Sequence, residues 1–267
     1  MKQVSSLSLF SVVLLAIGVA QAPPRSLQKE TSRTANASSI ARVAQAVQSP
    51  QKSVPERTFT AVNNLKIKVK EVTPYTQQTN LQIICFFKHK ASGDTILSAV
   101  ADLDQKLGGT ISSLRHSSEF VGDELETLWF IPPAGSIQPK AVLLIGLGDE
   151  QTLSLDKMHR IGTVALREAV KLGATRVSYA SALRDQGNAK LDTGDVASAV
   201  VQSVILAYNT EKRLQKQKLT HPFTIDEWVM EAGPDYYQET VAKVKQGVAL
   251  ANAEVAVRKS VSYVTGK

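Results

Sequence analysis

The chain has 267 residues, of which 43% are hydrophobic and 21% are charged, a composition that indicates a globular protein with one sizeable core rather than a disordered chain. The formal net charge is +7; Lys2 contributes one of these charges, and residues 21–60, with six Lys or Arg and two Glu, contribute four. Residues 61–267 therefore carry only +2, which argues against a nucleic-acid-binding protein, since such proteins cluster Lys and Arg on one face.

The N-terminus has the pattern of a secretory signal peptide. Lys2 precedes an apolar stretch, residues 7–20, that ends in the small residues Gly18-Val19-Ala20. The stretch is too short to span a bilayer comfortably, and its end suits signal peptidase. We predict a signal peptide of residues 1–20, cleaved after Ala20, and an exported protein, periplasmic or extracellular, without a stable membrane anchor. The alternative is an uncleaved anchor at the same residues.

Composition divides the rest of the chain into three parts. Residues 21–60 are rich in Ser, Gln, Thr and Ala and contain four prolines, which predicts a flexible linker. Residues 61–258 form the expected globular domain, and residues 259–267 form a C-terminal tail. No internal repeat is evident in the sequence, so we expect one core rather than a stack of repeated units.

Strand and helix patterns alternate along this domain. Alternating apolar and charged residues predict a half-exposed strand at 65–72, whereas continuous apolar runs predict buried strands at 81–88 and 141–145. Further strands are predicted at 126–131, 176–181 and 223–230, and helices from Asp94 or Thr95 to about Leu107, from the N-cap Ser154 to Leu172, at 195–208 and at 235–257. The interleaving predicts an α/β fold with a mixed, mostly parallel sheet between helices.

No residues of the types used in catalysis or metal binding are grouped at a suitable spacing. Cys85 lies in the apolar run 81–87, which predicts a buried, inert thiol rather than a reactive nucleophile. The histidines have no His-x-x-x-His or His-Glu-x-x-His spacing and are expected on the surface or in loops: His89, His116, His159 and His221. A Gly-x-Ser-x-Gly elbow is also absent from the sequence. We therefore predict no catalytic residue, no metal ligand and no cofactor.

Two groups of neighbouring carboxylates are candidates for general acid–base catalysis. Asp102 and Asp104 form the first group, and Asp123, Glu124 and Glu126 form the second. General acid–base or nucleophilic catalysis needs a basic or nucleophilic partner beside such a group. Neither group has a matching partner in the sequence, so both are expected to be solvated surface side chains.

A glycine motif and a basic run each allow two interpretations. Gly146-Leu147-Gly148 ends an apolar strand before a helix, where dinucleotide folds bind phosphate. The third glycine is replaced by Gln151, and the charges of Asp149 and Glu150 would repel phosphate, so we predict a structural turn rather than nucleotide binding. The basic run 212–218 has no interleaved aromatic residues, which favours an exposed connection over nucleic-acid binding.

Several of these segments together resemble the N-terminal domain of the leucyl (cytosol) aminopeptidases. The resemblance lies in Phe120-Val121-Gly122-Asp123, in the strand 141–149 that ends in Gly-Leu-Gly, in the amphipathic helix at 155–174, and in Leu206-Ala207-Tyr208 before a charged stretch. It covers roughly residues 61–258 and rests on the order and spacing of the motifs rather than on any one of them. It implies a macro-domain-like three-layer sandwich.

Departures from the family pattern bear on function. In the family, the long last helix runs into Ala-Arg-Asp-Leu-x-Asn-x-Pro, but residues 257–263 here read Val-Arg-Lys-Ser-Val-Ser-Tyr. The metal-binding motif Asn-Thr-Asp-Ala-Glu-Gly-Arg-Leu is absent from the sequence, and two-metal hydrolysis needs such converging carboxylates. The resemblance therefore implies no catalytic residue and no metal site. We predict an exported, non-catalytic binding or assembly domain, or alternatively an accessory or regulatory part of a metal-dependent aminopeptidase whose catalytic domain is on another chain.

The C-terminal helix predicts an association surface for self-association or a protein partner. Apolar residues recur at alternating spacings of four and three, as in a coiled-coil seam: Tyr237, Val241, Val244, Val248, Ala251 and Val255. The alternative is that this face covers the domain's own sheet, because Ala242, Leu250 and Val257 widen it. Both interpretations hold if the seam packs on the sheet while the wider face meets a partner. The residues expected at the surface are Val244, Val248, Leu250 and Val257.

Overall fold

The computed structural model describes residues 54–259 and 262–263, all of which lie in one compact unit that spans residues 52–267. The signal peptide predicted at residues 1–20 and the predicted linker up to residue 53 lie outside the described residues, so both remain predictions. Within the described part of the chain, no helix is both long enough and apolar enough to cross a bilayer.

Seven strands form one mixed sheet in the described part of the chain. They are β1 Glu56–Thr60, β2 Lys66–Lys70, β3 Leu81–Phe87, β4 Thr127–Phe130, β5 Val142–Gly148, β6 Arg176–Ala180 and β7 Glu227–Glu231. Their order in the sheet is β1-β2-β7-β6-β3-β5-β4. The two outer strands are antiparallel to their neighbours and all inner pairs are parallel. The predicted mixed, mostly parallel sheet is confirmed.

Five α-helices cover the sheet: α1 Ser98–Lys106, α2 Thr110–His116, α3 Leu155–Lys171, α4 Thr193–Lys216 and α5 Tyr237–Val257. Helix α4 contacts both α3 and α5, and the three helices bury their apolar side chains with those of the central strands on one face. Helices α1 and α2 cover the opposite face over β3, β5 and β4. The sheet therefore lies between two helical layers, as the sequence predicts.

The central strands β3 and β5 are buried along their whole length. In β3, Ile83 and Cys85 point into the core under α3 and α4, whereas Ile84 and Phe86 point into the core under α1 and α2. A strand covered on both faces needs apolar residues at every position rather than at alternate ones. This explains the continuous apolar runs in the sequence, and it confirms that Cys85 is a buried side chain.

The folded part of the chain begins earlier than the sequence analysis predicted. Strand β1 lies within residues 21–60, the range predicted to be a linker. It pairs with β2 through the full strand length, and Glu56 forms ion pairs with Lys68 at 3.3 Å and Lys70 at 2.9 Å. The prediction was wrong here because β1 is short and gains its stability from cross-strand partners rather than from its own apolar pattern.

Helix α4 is longer than predicted and includes the first part of the basic run 212–218. The ammonium group of Lys212 donates a hydrogen bond to the carbonyl of Phe223 at 2.5 Å and lies 4.4 Å from the centre of the Phe223 ring. Partial burial lowers the pKa of Lys212. These contacts hold the helical turn beyond Tyr208, so the predicted exposed connection starts only after Lys216.

The helix predicted over residues 94–107 starts later than predicted, ends before the glycine pair as predicted, and is followed by a second short helix. Helix α1 begins at Ser98, and α2, which the sequence analysis missed, follows the glycine pair at 108–109. Asp104 makes this turn possible because its carboxylate accepts hydrogen bonds from the backbone N–H groups of Ile111 at 2.8 Å and Ser112 at 3.3 Å. Asp104 is only 8% exposed, so the prediction that it is a solvated surface carboxylate is wrong.

Candidate functional site

The direction of the chain connections reverses between the neighbouring parallel strands β3 and β6. After β3 the chain passes through α1 and α2 to β4 and β5 on one side, whereas after β6 it passes through α4 to β7 on the other side. The connections also leave on opposite faces of the sheet. In open α/β sheets, such a reversal creates a crevice outside the carboxyl ends of the strands, where ligands bind.

A cleft of about 820 Å³ lies at this reversal. Its walls are the segments that follow β2, β6 and β7, at residues 71–74, 180–185 and 231–236, together with the first turn of α1 at residues 98–100. Four segments distant in sequence therefore meet at one edge of the sheet. The volume falls within the range of about 300–1,000 Å³ that small-molecule sites usually have.

Glu231 lines the cleft at the end of β7. Its carboxylate accepts a hydrogen bond from the hydroxyl of Ser178 at 2.6 Å, and the side chain of the fully buried Gln82 also interacts with it. Burial, together with the negative charge of Asp185, raises the pKa of Glu231 to about 7 despite these two interactions. The cleft therefore contains a carboxyl group that titrates near neutral pH.

Asp185 joins the cleft to the first turn of α1. Burial raises the pKa of its carboxyl group, and the backbone N–H of Ala99 acts on it in the opposite direction. Its backbone carbonyl also accepts a hydrogen bond from the N–H of Leu97 at 2.7 Å. Helix α1 has no side-chain cap of its own at Leu97, so Asp185 supplies acceptors for this helix from another part of the chain.

Arg184 is the only basic residue among the described residues that line the cleft. Its guanidinium donates hydrogen bonds to the carbonyls of Asn188 at 2.7 Å and Leu191 at 2.9 Å. It also lies over the ring of Tyr236, 5.6 Å from the ring centre. Arg184 thus ties the loop after β6 to the segment after β7 and holds two walls of the cleft together.

The cleft residues Arg184, Asp185 and Glu231 were not identified from the sequence. A usable signal exists, since Glu231 ends a strand of the parallel sheet, and Arg184 and Asp185 follow the end of β6 by four and five residues. Such positions lie at the carboxyl edge, where polar side chains can face a ligand. The strand order, which the sequence does not reveal, is needed to see that the ends of β6 and β7 lie side by side.

Comparison with known proteins agrees with the motif resemblance. The model of the N-terminal domain of the cytosol aminopeptidase family matches residues 83–218, just over half of the chain. The chain belongs to the cytosol aminopeptidase family. A probable cytosol aminopeptidase of Persephonella marina is 29% identical over 156 residues, which cover 58% of this chain and 30% of that relative. The chain thus spans less than a third of the length of this relative.

Solved structures show the same fold at low sequence identity. A mutant tomato leucine aminopeptidase is similar with a TM-score of 0.50 and 17% identity, over 69% of this chain and 37% of that one. A mutant macrodomain of Oceanobacillus iheyensis is similar with a TM-score of 0.52 and 12% identity, over 75% of this chain and 98% of that one. The same macrodomain has been solved with ADP. These similarities confirm the macro-domain-like fold predicted for this aminopeptidase-family chain.

Two of the family motifs pack directly on each other. A methyl group added at Gly146 would lie 1.9 Å from the carbonyl oxygen of Asp123, so only glycine lets strand β5 approach the segment 122–124. Gly148 has a φ of 70°, which favours glycine. The motif lies within β5 rather than in a turn as predicted, and it does not line the cleft. Its glycines are therefore explained by backbone packing.

The acidic group in the adjoining segment has a structural role as well. Glu126 accepts hydrogen bonds from the backbone N–H groups of Val121, Gly122 and Asp123, at 3.3, 2.7 and 2.9 Å. A carboxylate that collects several N–H groups fixes a turn, much as a helix cap does. Glu126 is therefore part of the Phe-x-Gly turn of this family domain, whereas Asp123, as expected, is an exposed side chain that pairs with Lys88.

The histidines of this family domain are dispersed, and two of them have defined partners. His89 Nδ1 lies 3.0 Å from Asp94 Oδ2, and His159 Nδ1 lies 2.9 Å from the hydroxyl of Ser203. His116 and His221 are exposed, as expected. Among the described residues, no group of three or more His, Cys, Asp or Glu side chains is placed to hold a metal ion.

Asp94 is paired with a buried arginine and with a histidine. Arg115 donates a hydrogen bond from Nε to Asp94 at 2.5 Å and another from Nη2 to the carbonyl of Phe87 at 2.9 Å. Although burial works in the opposite direction, the hydrogen bonds from Arg115 and His89 lower the pKa of Asp94 to about 2. Asp94 therefore stays ionised and serves as the partner of a buried arginine.

The surroundings of Cys85 give its thiol low reactivity. Its Sγ lies 3.2 Å from the hydroxyl of Tyr179, and burial raises the pKa of the thiol to about 12. A thiol that remains protonated at neutral pH is a poor nucleophile. The prediction of a buried, inert cysteine agrees with this environment.

The residues expected at the association surface of α5 divide into two pairs. Val244 and Val248 are buried in the core between α5 and the sheet. Leu250 is 52% exposed and Val257 is 79% exposed. The structure thus places the seam on the domain's own core and leaves only Leu250 and Val257 available to a partner.

Proposed function

We propose that this chain is a non-catalytic ligand-binding domain of the cytosol aminopeptidase family and that its ligand occupies the cleft above β2, β6 and β7. The cleft itself is the observation that supports this function. It has the volume of a small-molecule site, it lies where the connections reverse, and it combines apolar walls with a few polar groups. Because proteins of one fold can have many unrelated functions, the proposal depends on the cleft and not on the fold.

The non-catalytic part of the proposal follows from what the chain matches. The matching family model describes the N-terminal domain. The alternative is an accessory or regulatory part of a metal-dependent aminopeptidase whose catalytic domain is on another chain. Hydrolysis of leucyl-p-nitroanilide by the purified chain with added Mn²⁺ or Zn²⁺ tests the first point. We expect no turnover, and chelator-sensitive turnover that co-purifies with the chain would contradict it.

Export is also part of the proposed function. Its support is the sequence of residues 1–20, in which Lys2 precedes an apolar stretch that ends in small residues. N-terminal sequencing of the protein from its native host is expected to start at Gln21. An intact Met1 in the cytoplasmic fraction would show that the protein is not exported.

Blocking the cleft tests the ligand-binding role. Gly233 lines the cleft with a φ of −68°, and an added Cβ would meet only the Tyr236 ring at 3.9 Å. Gly233→Leu therefore fills space without straining the backbone. Ligand-observed NMR with a small-molecule fragment library is expected to give hits with the full wild-type chain that disappear in this variant. Ser117→Leu, at an exposed site outside the cleft, is the matched control. Hits unaffected by Gly233→Leu would refute the assignment of the site.

A further inference from the structure

The cleft carries an excess of negative charge. Four carboxylic residues line it, and a single basic residue does so among the described residues. The carboxylic residues are Glu71, Asp185, Glu231 and Asp235. Like charges in a partly desolvated cavity repel one another, so the cleft attracts ligands of positive charge and repels anions.

The single basic residue is not available to a ligand anion. Two backbone carbonyls already accept hydrogen bonds from the Arg184 guanidinium, and the ring of Tyr236 lies beneath it. Binding a phosphate in the fork of Arg184 would break contacts that hold two walls of the cleft together. Recognition of a diphosphate by this side chain would therefore disrupt the site.

The helix N-terminus in the cleft is also occupied. The first turn of α1 lines the cleft, and free N–H groups at such a position would bind phosphate. Here, however, the carboxylate of Asp185 interacts with the N–H of Ala99. A negative side chain already takes the place of an anion at this helix end.

The Glu231 carboxylate has few donors of its own. Ser178 donates one hydrogen bond to Glu231, whereas Gln82 is fully buried and does not line the cleft. A partly buried carboxylate with few donors is costly, and a ligand that brings N–H groups lowers that cost.

Apolar side chains form the remaining walls. Val72 and Pro74 follow β2, Val100 lies in α1, and Leu183 follows β6. Building on the proposed function, we propose that the cleft binds an organic cation, an ammonium group attached to a small apolar body, with the ammonium at Glu231 and Asp185. The apolar body lies against the Val72, Pro74, Val100 and Leu183 side chains.

Matched probes test this inference. Isothermal titration of the full chain compares phenethylammonium, its neutral analogue 2-phenylethanol, the anion phenylacetate and ADP. We expect phenethylammonium to bind at least about tenfold more tightly than either 2-phenylethanol or phenylacetate, since a hydrogen bond between an ammonium and a carboxylate is stronger than one between neutral groups. ADP is expected not to bind in the cleft.

Two isosteric variants identify the groups that bind the ammonium. Glu231→Gln and Asp185→Asn are each expected to weaken phenethylammonium binding about tenfold and to leave 2-phenylethanol unchanged. Glu119→Gln, at an exposed carboxylate outside the cleft, is the control. Tighter binding of phenylacetate or ADP, lost in Gly233→Leu, would overturn the cation inference and keep the ligand-binding function. Absence of binding by any probe or library fragment would contradict the proposed function itself.

Discussion

Two partly buried carboxylates, one after β3 and one at the end of β7, have opposite surroundings. Asp94, after β3, is hydrogen-bonded to Arg115 and His89, and its pKa is about 2. Glu231, at the end of β7, meets a hydroxyl and an amide but forms no ion pair within the described residues, and its pKa is about 7. The same functional group is therefore held charged in one place and close to neutralisation in the other.

This difference indicates a structural role for Asp94 and a ligand-binding role for Glu231. The guanidinium beside Asp94 also lies over the rings of Phe86 and Phe120 and bonds the carbonyl of Phe87, so it joins β3 to α2. Asp94 and Arg115 are therefore each other's charged partners within the domain. Glu231 instead opens into the cleft and forms no ion pair within the described residues, and a perturbed carboxyl group in a cleft is a candidate for ligand binding.

Replacing Arg115, the partner of Asp94, should lower the stability of the domain more than any other change considered below. Arg115 is only 2% exposed, and Arg115→Met leaves Asp94 partly buried without its cation. We expect the free energy of unfolding to fall by about 3–5 kcal/mol, measured by urea denaturation at pH 7. Arg160→Met removes an arginine whose side chain is 56% exposed and paired with Glu124, and should cost less than about 1 kcal/mol. Equal losses in the two variants would show that burial does not distinguish these ion pairs.

The sequence predicts the strands and helices that carry these two carboxylates better than it predicts the partners and ionisation of the carboxylates. The buried strands β3 and β5 and the cap of α3 are local patterns: continuous apolar runs, and a Ser154 hydroxyl that accepts a hydrogen bond from the N–H of Lys157 at 3.2 Å. The seven-residue helix α2 has too little pattern to be found and depends on Asp104.

The cleft could not be predicted from the sequence for a different reason. It is assembled from four segments that come together only because β7 is inserted between β2 and β6. The ionisation of Glu231 likewise depends on Ser178 and Gln82, which are far away in the sequence. Such properties follow from strand order and burial, which local periodicity does not encode.

Neutralising Glu231 should change the free energy of unfolding less than Arg115→Met does, and the change should depend on pH. Because burial raises its pKa from 4.5 to about 7, the folded state binds a proton more tightly than the unfolded state. Its contribution to stability is therefore complete below about pH 4.5 and is lost as the pH rises through about 7. Gln82, Ser178 and Asp185 are the groups that act on it.

Glu231→Gln mimics the protonated carboxyl at every pH. The variant should match the wild type at pH 4 and exceed its free energy of unfolding by about 2–3 kcal/mol at pH 8. Urea denaturation at both pH values measures this, with Glu119→Gln as the control that should show no such difference. A variant less stable than the wild type at pH 8 would mean that the Glu231 carboxylate is satisfied within the domain, as Asp94 is.

The smallest effect on stability is expected at α5, on the face of the sheet opposite α1 and α2. Leu250 and Val257 are exposed. Leu250→Asp and Val257→Asp should therefore change the free energy of unfolding by no more than about 0.5 kcal/mol. Self-association through this apolar surface should be lost in both variants. Light scattering on the full chain is expected to show an oligomer for the wild type and a monomer for each variant, with Leu219→Asp, at another exposed leucine, as the control. Phenethylammonium binding should remain in these variants, because the cleft and the α5 surface share no residue. A wild-type chain that is monomeric at high micromolar concentration would show that α5 only covers its own core.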